Sequence, residues 1–397
     1  MHIKDIQQQL QALRQQNLHR FRRTIESGDG IQVSVDGRAM LAFCSNDYLG
    51  LANDERLVQA LSEGAQLYGA GAGASHLISG HSRAHALLEA RLAELFAPYV
   101  PSAQALYFCT GYMANLGLMG GLAMLAPDTE VFSEELNHAS LIDGMRMART
   151  TVRVYPHRNL QALAQLLATS TSSNKVVVTD SVFSMDGSVA DAPALLTLCK
   201  QHEAWLVIDD AHGFGVLGQH GLGVLEHFGL SDERIIYMGT LGKAAGVGGA
   251  FVCAHEHMIA WLVQRSRPYI YTTASAPALA HAVQCSLALI SGAEGKQRRT
   301  QLQRNIQQLQ QTLKQRSWKL LPSETAIQPL LIGENSQALE VSARLFEQGL
   351  WVPAIRPPTV PQGTARLRIA LSAGHTEAQI HRLATAINSL EEHMVQA

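Results

Sequence analysis

Apolar residues at Ile6, Leu10, Leu13 and Phe21 recur at roughly helical spacing, which predicts an amphipathic helix over residues 3–23. Residues 31–43, IQVSVDGRAMLAF, then alternate apolar and polar positions around Asp36-Gly37, a pair that accepts left-handed backbone and so marks a β-hairpin turn. The middle of the chain changes character. Apolar runs begin at Ala105 (ALYFC), Val152 (VRVY), Lys175 (KVVVTD), Trp205 (WLVIDD), Arg234 (RIIYMGT) and Ala250 (AFVCA), with helix-length stretches between them. Strands apolar on both faces need cover on both sides, so these runs predict a mainly parallel sheet between helices. The polar stretch SGAEGKQRR, residues 291–299, marks a boundary. Beyond it Leu302, Ile306, Leu309 and Leu313 outline a polar-faced helix, and IQPLLIG and RLRIAL are short strands of a smaller α+β domain. The expected organisation is a helix-and-hairpin segment over residues 1–45, a large α/β domain over 46–290 and a small domain over 291–397.

At 397 residues the chain exceeds one ordinary core, in keeping with a large domain and a smaller companion. A hydrophobic fraction of 47% excludes a disordered chain, and only 16% charged residues implies much buried surface, in the core or between subunits. Lys and Arg number 31 against 33 Asp and Glu, so no basic excess points to nucleic acid or an anionic membrane. The cysteines (Cys44, Cys109, Cys199, Cys253, Cys285) are scattered and odd in number, without a CxxC pair, which argues against a disulfide framework or a thiolate zinc site. No apolar stretch approaches the roughly 20 residues of a membrane span, and the N-terminus lacks a signal-peptide core. A soluble enzyme of a reducing cytoplasm is the expectation.

Candidate chemistry clusters at strand ends. In WLVIDDAHGFG (205–215) a buried strand ends in Asp209, with His212 three residues on. Charged groups there sit where α/β proteins bind ligands; the bland alternative for Asp209-Asp210 is a turn cap. A carboxylate near an imidazole also suits a metal, but no other ligand cluster has matching spacing, and no metal is expected. His81 and His85 could share a helix face, yet two histidines alone more often cap and pack. In RIIYMGTLGKAAGVGGA (234–250) a strand leads to Thr240 and Lys243 among small residues that let a bulky group approach the backbone. It lacks the GxxxxGK[ST] spacing of a nucleotide loop. TGYMAN (110–115) places Gly111 and Tyr112 at a helix start, where free N–H groups suit a phosphate. His138 in ELNHAS, Ser184 in TDSVFSMDG and Arg356 before Pro357-Pro358 are each unremarkable alone. An arginine held in an extended segment by those prolines would suit a carboxylate. Together, a lysine for an imine, an aspartate for a pyridine nitrogen, a flat side chain to stack and a phosphate cradle are what pyridoxal phosphate requires.

The motifs SNDYLGL (45–51), GAGASHLISGHSRAHALLE (71–89), TGYMAN, HAS (138–140), SVFSMDG (181–187), DDAHGFGVLG (209–218), GTLGKA (239–244) and IRPPTVPQGTARLR (355–368) resemble the α-oxoamine synthases. These are fold-type I pyridoxal-phosphate transferases that join an amino acid to an acyl thioester with loss of carbon dioxide. The resemblance runs in family order from about residue 20 to residue 370. It implies an aspartate aminotransferase-like fold: a large α/β domain with a mainly parallel seven-stranded sheet, a small α+β C-terminal domain and an N-terminal helical segment. It implies that Lys243 carries the cofactor and exchanges the α-proton, that Asp209 pairs with the ring nitrogen, that His212 bonds the ring oxygen and that His138 stacks on the ring. Gly111, Tyr112 and Thr240 would contact the phosphate, and Ser184 would lie by the cofactor oxygen. Arg356 would take the amino-acid carboxylate, and Arg20, Asn46, His138 and Thr359 would contact substrate. Tyr112 stands where the family would have Phe, which leaves a backbone contact intact. The fit is greatest to members serving biotin biosynthesis, which implies L-alanine and a pimeloyl thioester, on coenzyme A or an acyl-carrier protein, and a homodimer. Glycine with acetyl-coenzyme A is the alternative within the family.

Overall fold

The computed structural model describes residues 3–314 and 316–395. Two compact units make up the chain: Met1–Tyr48, Met185–Ser188 and Thr300–Ala397 form one, and Leu49–Ser184 with Val189–Arg299 the other.

In the first unit the opening helix covers Ile3–Gln15 and stops short of the predicted residue 23. Asn17 adopts left-handed backbone (φ 56°), and the Leu18 N–H turns back on the Leu13 carbonyl at 2.8 Å, closing the helix end. The spacing of Phe21 therefore continued a stripe that the backbone had already left. Strands β1 (Ile25–Gly28), β2 (Gln32–Val35) and β3 (Arg38–Ala42) pair antiparallel in that order. Asp36 and Gly37 take φ values of 49° and 75°, the tight turn that the dipeptide predicts.

The second unit is built on a seven-stranded sheet of β4 (Ala103–Phe108), β5 (Glu130–Glu134), β6 (Thr151–Tyr155), β7 (Lys175–Asp180), β8 (Ala204–Asp209), β9 (Ile235–Thr240) and β10 (Ala250–His255). Its order is β4-β10-β9-β8-β7-β5-β6. The β5–β9 neighbours pair in parallel, and β10 alone runs against both of its neighbours, β4 and β9. The strand runs are Val- and Ile-rich because the central strands are buried on both faces: Val176, Val177 and Val178 of β7 and Leu206, Val207 and Ile208 of β8 are all inaccessible. β5 escaped the sequence pattern. All five of its residues are buried, but Glu130 and Glu134 at its ends break the apolar run. Glu130 is paired there with Arg153, and Glu134 with His157 at 2.5 Å.

The remainder of the first unit contains β11 (Lys319–Leu320), β12 (Ile327–Gly333), β13 (Leu350–Trp351), β14 (Ala354–Ile355) and β15 (Ala365–Ala370). Strands β11, β12, β15 and β14 form a sheet in that order, with antiparallel neighbours. β13 instead joins the N-terminal hairpin, pairing in parallel with β3 (Leu350 opposite Leu41). Leu302, Ile306, Leu309 and Leu313 are buried, as their spacing predicts. Among the described residues no helix is long and apolar enough to cross a membrane.

Candidate active site

A cavity of about 170 Å³ in the second unit opens at the carboxyl ends of β4, β5, β7, β8 and β9, where parallel strands deliver side chains into a crevice. Lys243 enters it from the chain reversal between β9 and β10. That reversal is stitched at its base by pairing of Thr240 with Ala250 and by the Leu241 N–H to the Gly249 carbonyl at 2.9 Å. Gly246 turns inside it with φ 70°; a Cβ there would fall 2.6 Å from the Ala52 backbone nitrogen, so only glycine fits. Lys243 Nζ lies 2.8 Å from His212 Nε2, and His212 is itself buried.

Asp209 ends β8 and is fixed at both oxygens. Oδ2 accepts from Asn115 Nδ2 at 2.7 Å, and Oδ1 accepts from the Ala211 N–H at 3.0 Å. Asn115, fully buried on the helix Gly111–Ala123, also donates to Ser140 Oγ at 2.8 Å. Its own Oδ1 is buried without a hydrogen-bond partner in the protein, and the residue lines the cavity. An aspartate and an orphaned amide oxygen thus make an acceptor-rich corner suited to an N–H donor on a ligand. Asp210, the next residue, does different work. It accepts from Tyr237 Oη and the Val224 N–H, both at 2.7 Å, and from Ser181 Oγ, and burial pushes its carboxyl up to about 7. One of the paired aspartates faces the cavity, and the other ties down the loop beneath it.

His138 follows β5 and caps the helix Ala139–Ala148; its Nδ1 accepts from the Ser140 N–H at 3.3 Å, which leaves the ring proton on Nε2. Burial lowers its pKa against the opposing charge of Asp209, so the ring is neutral. Asp180, buried in the cavity wall, accepts from the His138 N–H at 3.4 Å; burial and the nearby Asp209 charge raise its carboxyl well above the usual range. Sequence reasoning passed over Asp180, although its place at the end of KVVVTD repeats that of Asp209 in WLVIDD.

Gly111 and Tyr112 line the cavity at the first turn of their helix, where Thr110 Oγ1 caps by accepting from the Met113 N–H at 3.2 Å. The Tyr112 hydroxyl donates to Asp143. Thr240 lines the cavity at the end of β9, whereas Ser184 lies half-buried two residues beyond the lining Val182.

The first unit carries the remaining predicted residues. Arg20, Arg356 and Thr359 line a second cavity of about 580 Å³ against Phe346, Trp351 and Ile355. Arg356 directly follows β14, and the chain turns after it. The Thr359 N–H turns back to the Arg356 carbonyl at 3.1 Å, and the guanidinium donates to the Asn17 carbonyl. Burial, with the neighbouring Arg20 charge, lowers the Arg356 pKa. Asn46 is placed differently: its Oδ1 accepts from both Nη atoms of Arg368 at 3.2 Å and from Tyr48 Oη at 3.1 Å. Arg368, only 6% exposed, was not singled out from the sequence. The signal was Arg366 and Arg368 alternating along a strand whose six residues are all buried.

The sequence model described as aminotransferase class I and II matches residues 38–387, and the chain belongs to this family. It is a pyridoxal-phosphate-dependent enzyme, and the second unit's cavity holds a donor set that fits the cofactor: a lysine amine, an acceptor corner, a neutral imidazole and a helix N-terminus. Its relatives narrow the class. The chain is 62% identical over 98% of both chains to the 8-amino-7-oxononanoate synthase of Janthinobacterium sp. (strain Marseille). It is 60% identical, again over 98% of both, to that of Bordetella petrii. Among solved structures it is similar to serine palmitoyltransferase from S. paucimobilis with a bound PLP-myriocin aldimine (TM-score 0.91, 26% identity, 99% of this chain and 98% of that one). It is also similar to 8-amino-7-oxononanoate synthase from Francisella tularensis (TM-score 0.75, 28% identity, 90% and 99%).

Proposed function

We infer that this chain is the acyltransferase that condenses L-alanine with a pimeloyl thioester, giving 8-amino-7-oxononanoate, carbon dioxide and the free thiol carrier, a step toward biotin. What carries the reading is likeness to enzymes of that name along 98% of both chains, together with one cavity lined by Lys243, His212, Asp209, His138, Thr240 and Gly111.

Bound pyridoxal phosphate supplies an aldehyde that condenses with amines and a ring that accepts the electron pair of a bond broken at the amino-acid Cα. The chain's residues do the rest. Lys243 Nζ would hold the cofactor; once the alanine amine has taken its place there, the freed lysine amine would remove the proton from the alanine Cα and later return one to the product. His212, whose Nε2 lies 2.8 Å from that amine, would bond the ring oxygen beside it. Asp209, pinned by Asn115 and the Ala211 N–H, would keep a proton on the ring nitrogen, and a charged ring takes up electrons far better than a neutral one. His138 would offer a flat face to the ring, the helix N-terminus at Gly111 and Tyr112 would take the phosphate with Thr240, and Ser184 would lie by the cofactor oxygen. For the alanine carboxylate the reading keeps Arg356 and adds Arg368, whose buried guanidinium holds Asn46. Arg20 and Thr359 contact the acyl substrate. Loss of carbon dioxide pulls the condensation forward. The reading includes a homodimer working in the cytoplasm; Val58, Leu61 and Leu67 on the helix Glu55–Tyr68 are apolar side chains left exposed for such a partner.

The test is a thiol-release assay on the purified, cofactor-loaded protein with alanine or glycine against pimeloyl and acetyl thioesters on coenzyme A and on acyl-carrier protein. Alanine with a pimeloyl thioester should give the highest kcat/KM. A preference for glycine with acetyl-coenzyme A would move the chain to the other branch of the family.

A further inference from the structure

We propose that His76, His81 and His85 form a binding site for a divalent transition-metal ion of the zinc class. The spacing of His81 and His85 suggests one helix face, but His81 precedes the helix that carries His85, and the fold adds His76. A single π-helical turn, His76–Gly80, carries the first histidine back against His81, which follows it, and against His85 in the first turn of the helix Arg83–Phe96. One ring nitrogen from each of the three lies within 4.8 Å of the other two.

Two features go beyond proximity. First, His76 Nδ1 and His81 Nδ1 face each other at 3.2 Å. In the metal-free chain this is a hydrogen bond, and an ion would take the place of its proton. Zinc bonded at about 2.0–2.1 Å in a tetrahedral site sets its ligand nitrogens roughly 3.3 Å apart, so this pair already stands near a coordination edge. Second, one outer ring nitrogen is held by a carbonyl, as in metal-bound imidazoles, and another faces a buried carboxyl. His85 Nε2 donates to the Ser275 carbonyl at 3.1 Å. His81 Nε2 lies 3.7 Å from Glu89 Oε2, while the other Glu89 oxygen accepts from the Tyr107 N–H at 2.9 Å. His76 is stacked on Tyr269 with centroids 4.6 Å apart, which fixes its plane.

The protonation state agrees. Burial lowers all three imidazoles, His76 and His85 to about 4, so each is neutral near pH 7, the form that ligates. His85 Nδ1 also accepts from the Ser82 N–H at 3.0 Å, a helix-cap bond that an ion drawing on this nitrogen would displace. Three imidazoles without a thiolate select zinc, nickel or copper over magnesium or calcium. Three protein ligands leave a fourth position for water. His76 and His85 are buried and His81 is exposed, so the ion would clamp the π-turn to the helix while remaining open to solvent.

The test uses the full-length, cofactor-loaded protein stripped with a chelator and titrated with zinc chloride in equilibrium dialysis, with melting followed in parallel. Wild type should bind a single zinc ion per chain and melt at higher temperature with zinc present. His81→Ala replaces an exposed side chain; it should melt as wild type does without metal, and lose both the bound zinc and the zinc-dependent rise. Glu89→Gln should weaken binding about tenfold or more, and Lys243→Ala should leave it unchanged. Equal zinc binding by wild type and His81→Ala overturns the proposal, as does wild type that retains no zinc. Neither result bears on the condensation activity.

Discussion

The two cavities are built from opposite materials. The one in the second unit is lined by two carboxyls, two imidazoles and an amine, each at a strand end or within a few residues of one. The one in the first unit is lined by arginines and apolar side chains, brought together from residues 18–23 and 339–359. Titratable groups hang from a rigid ladder, where a short sequence suffices to place them. Groups suited to anions and hydrocarbon chains come from segments far apart, and only the tertiary fold gathers them.

The contrast breaks most visibly at Lys243. Lys243→Ala should reduce turnover to background while circular dichroism and melting stay those of wild type; normal turnover by that variant would remove the catalytic cavity from the account. Asp209→Asn comes next, with kcat expected to fall by several orders of magnitude in steady-state assays. Asp210→Ala should instead leave the Val224 N–H unmet and the Tyr237 hydroxyl with only the Leu222 carbonyl at 3.5 Å, and cost about 2–4 kcal/mol in urea melts, with the folded fraction still active. Should the two neighbours behave alike, the division of labour along β8 is wrong. A smaller effect is expected in the arginine-lined cavity and beside it. Losing a bond to a charged group costs about 1.5–3 kcal/mol, so whichever of Arg356→Lys and Arg368→Lys removes the carboxylate partner should raise the alanine KM about 10- to 100-fold with kcat less changed.

The smallest effect is on pH dependence. Burial raises Asp210 from an ordinary 3.8 to about 7, so across that window the folded state holds a proton that the unfolded state has released. Folded protein therefore loses this contribution as pH rises through the window and keeps it in full only below. Asp210→Asn lacks the titration, and its melting temperature should fall less than that of wild type between pH 5 and 7. Parallel curves would place the carboxyl elsewhere on the scale.

Most of the sheet was legible because its strands are short apolar runs between helices, and Asp36-Gly37 announced its own turn. β5 was not, because glutamates at its ends, each paired across the fold, look like loop in one dimension. The chain's departure from the helix at Asn17 depends on backbone handedness, which apolar spacing does not record. Lys243, Asp209, His212 and His138 stood out through motifs beside strand ends. Asp180 and Arg368 did not, since a buried charge in a strand is indistinguishable from an exposed one until its neighbours are known.

The reversal that carries Lys243 joins two adjacent antiparallel strands, whereas the other cavity-lining segments run on into crossovers. A crossover can absorb extra residues by lengthening on the surface; a strap sewn at both ends cannot. Grafting or lengthening at residues 241–249 would therefore displace the amine with every added residue. Anyone reshaping this enzyme for new substrates has room around the other strand tips and almost none here.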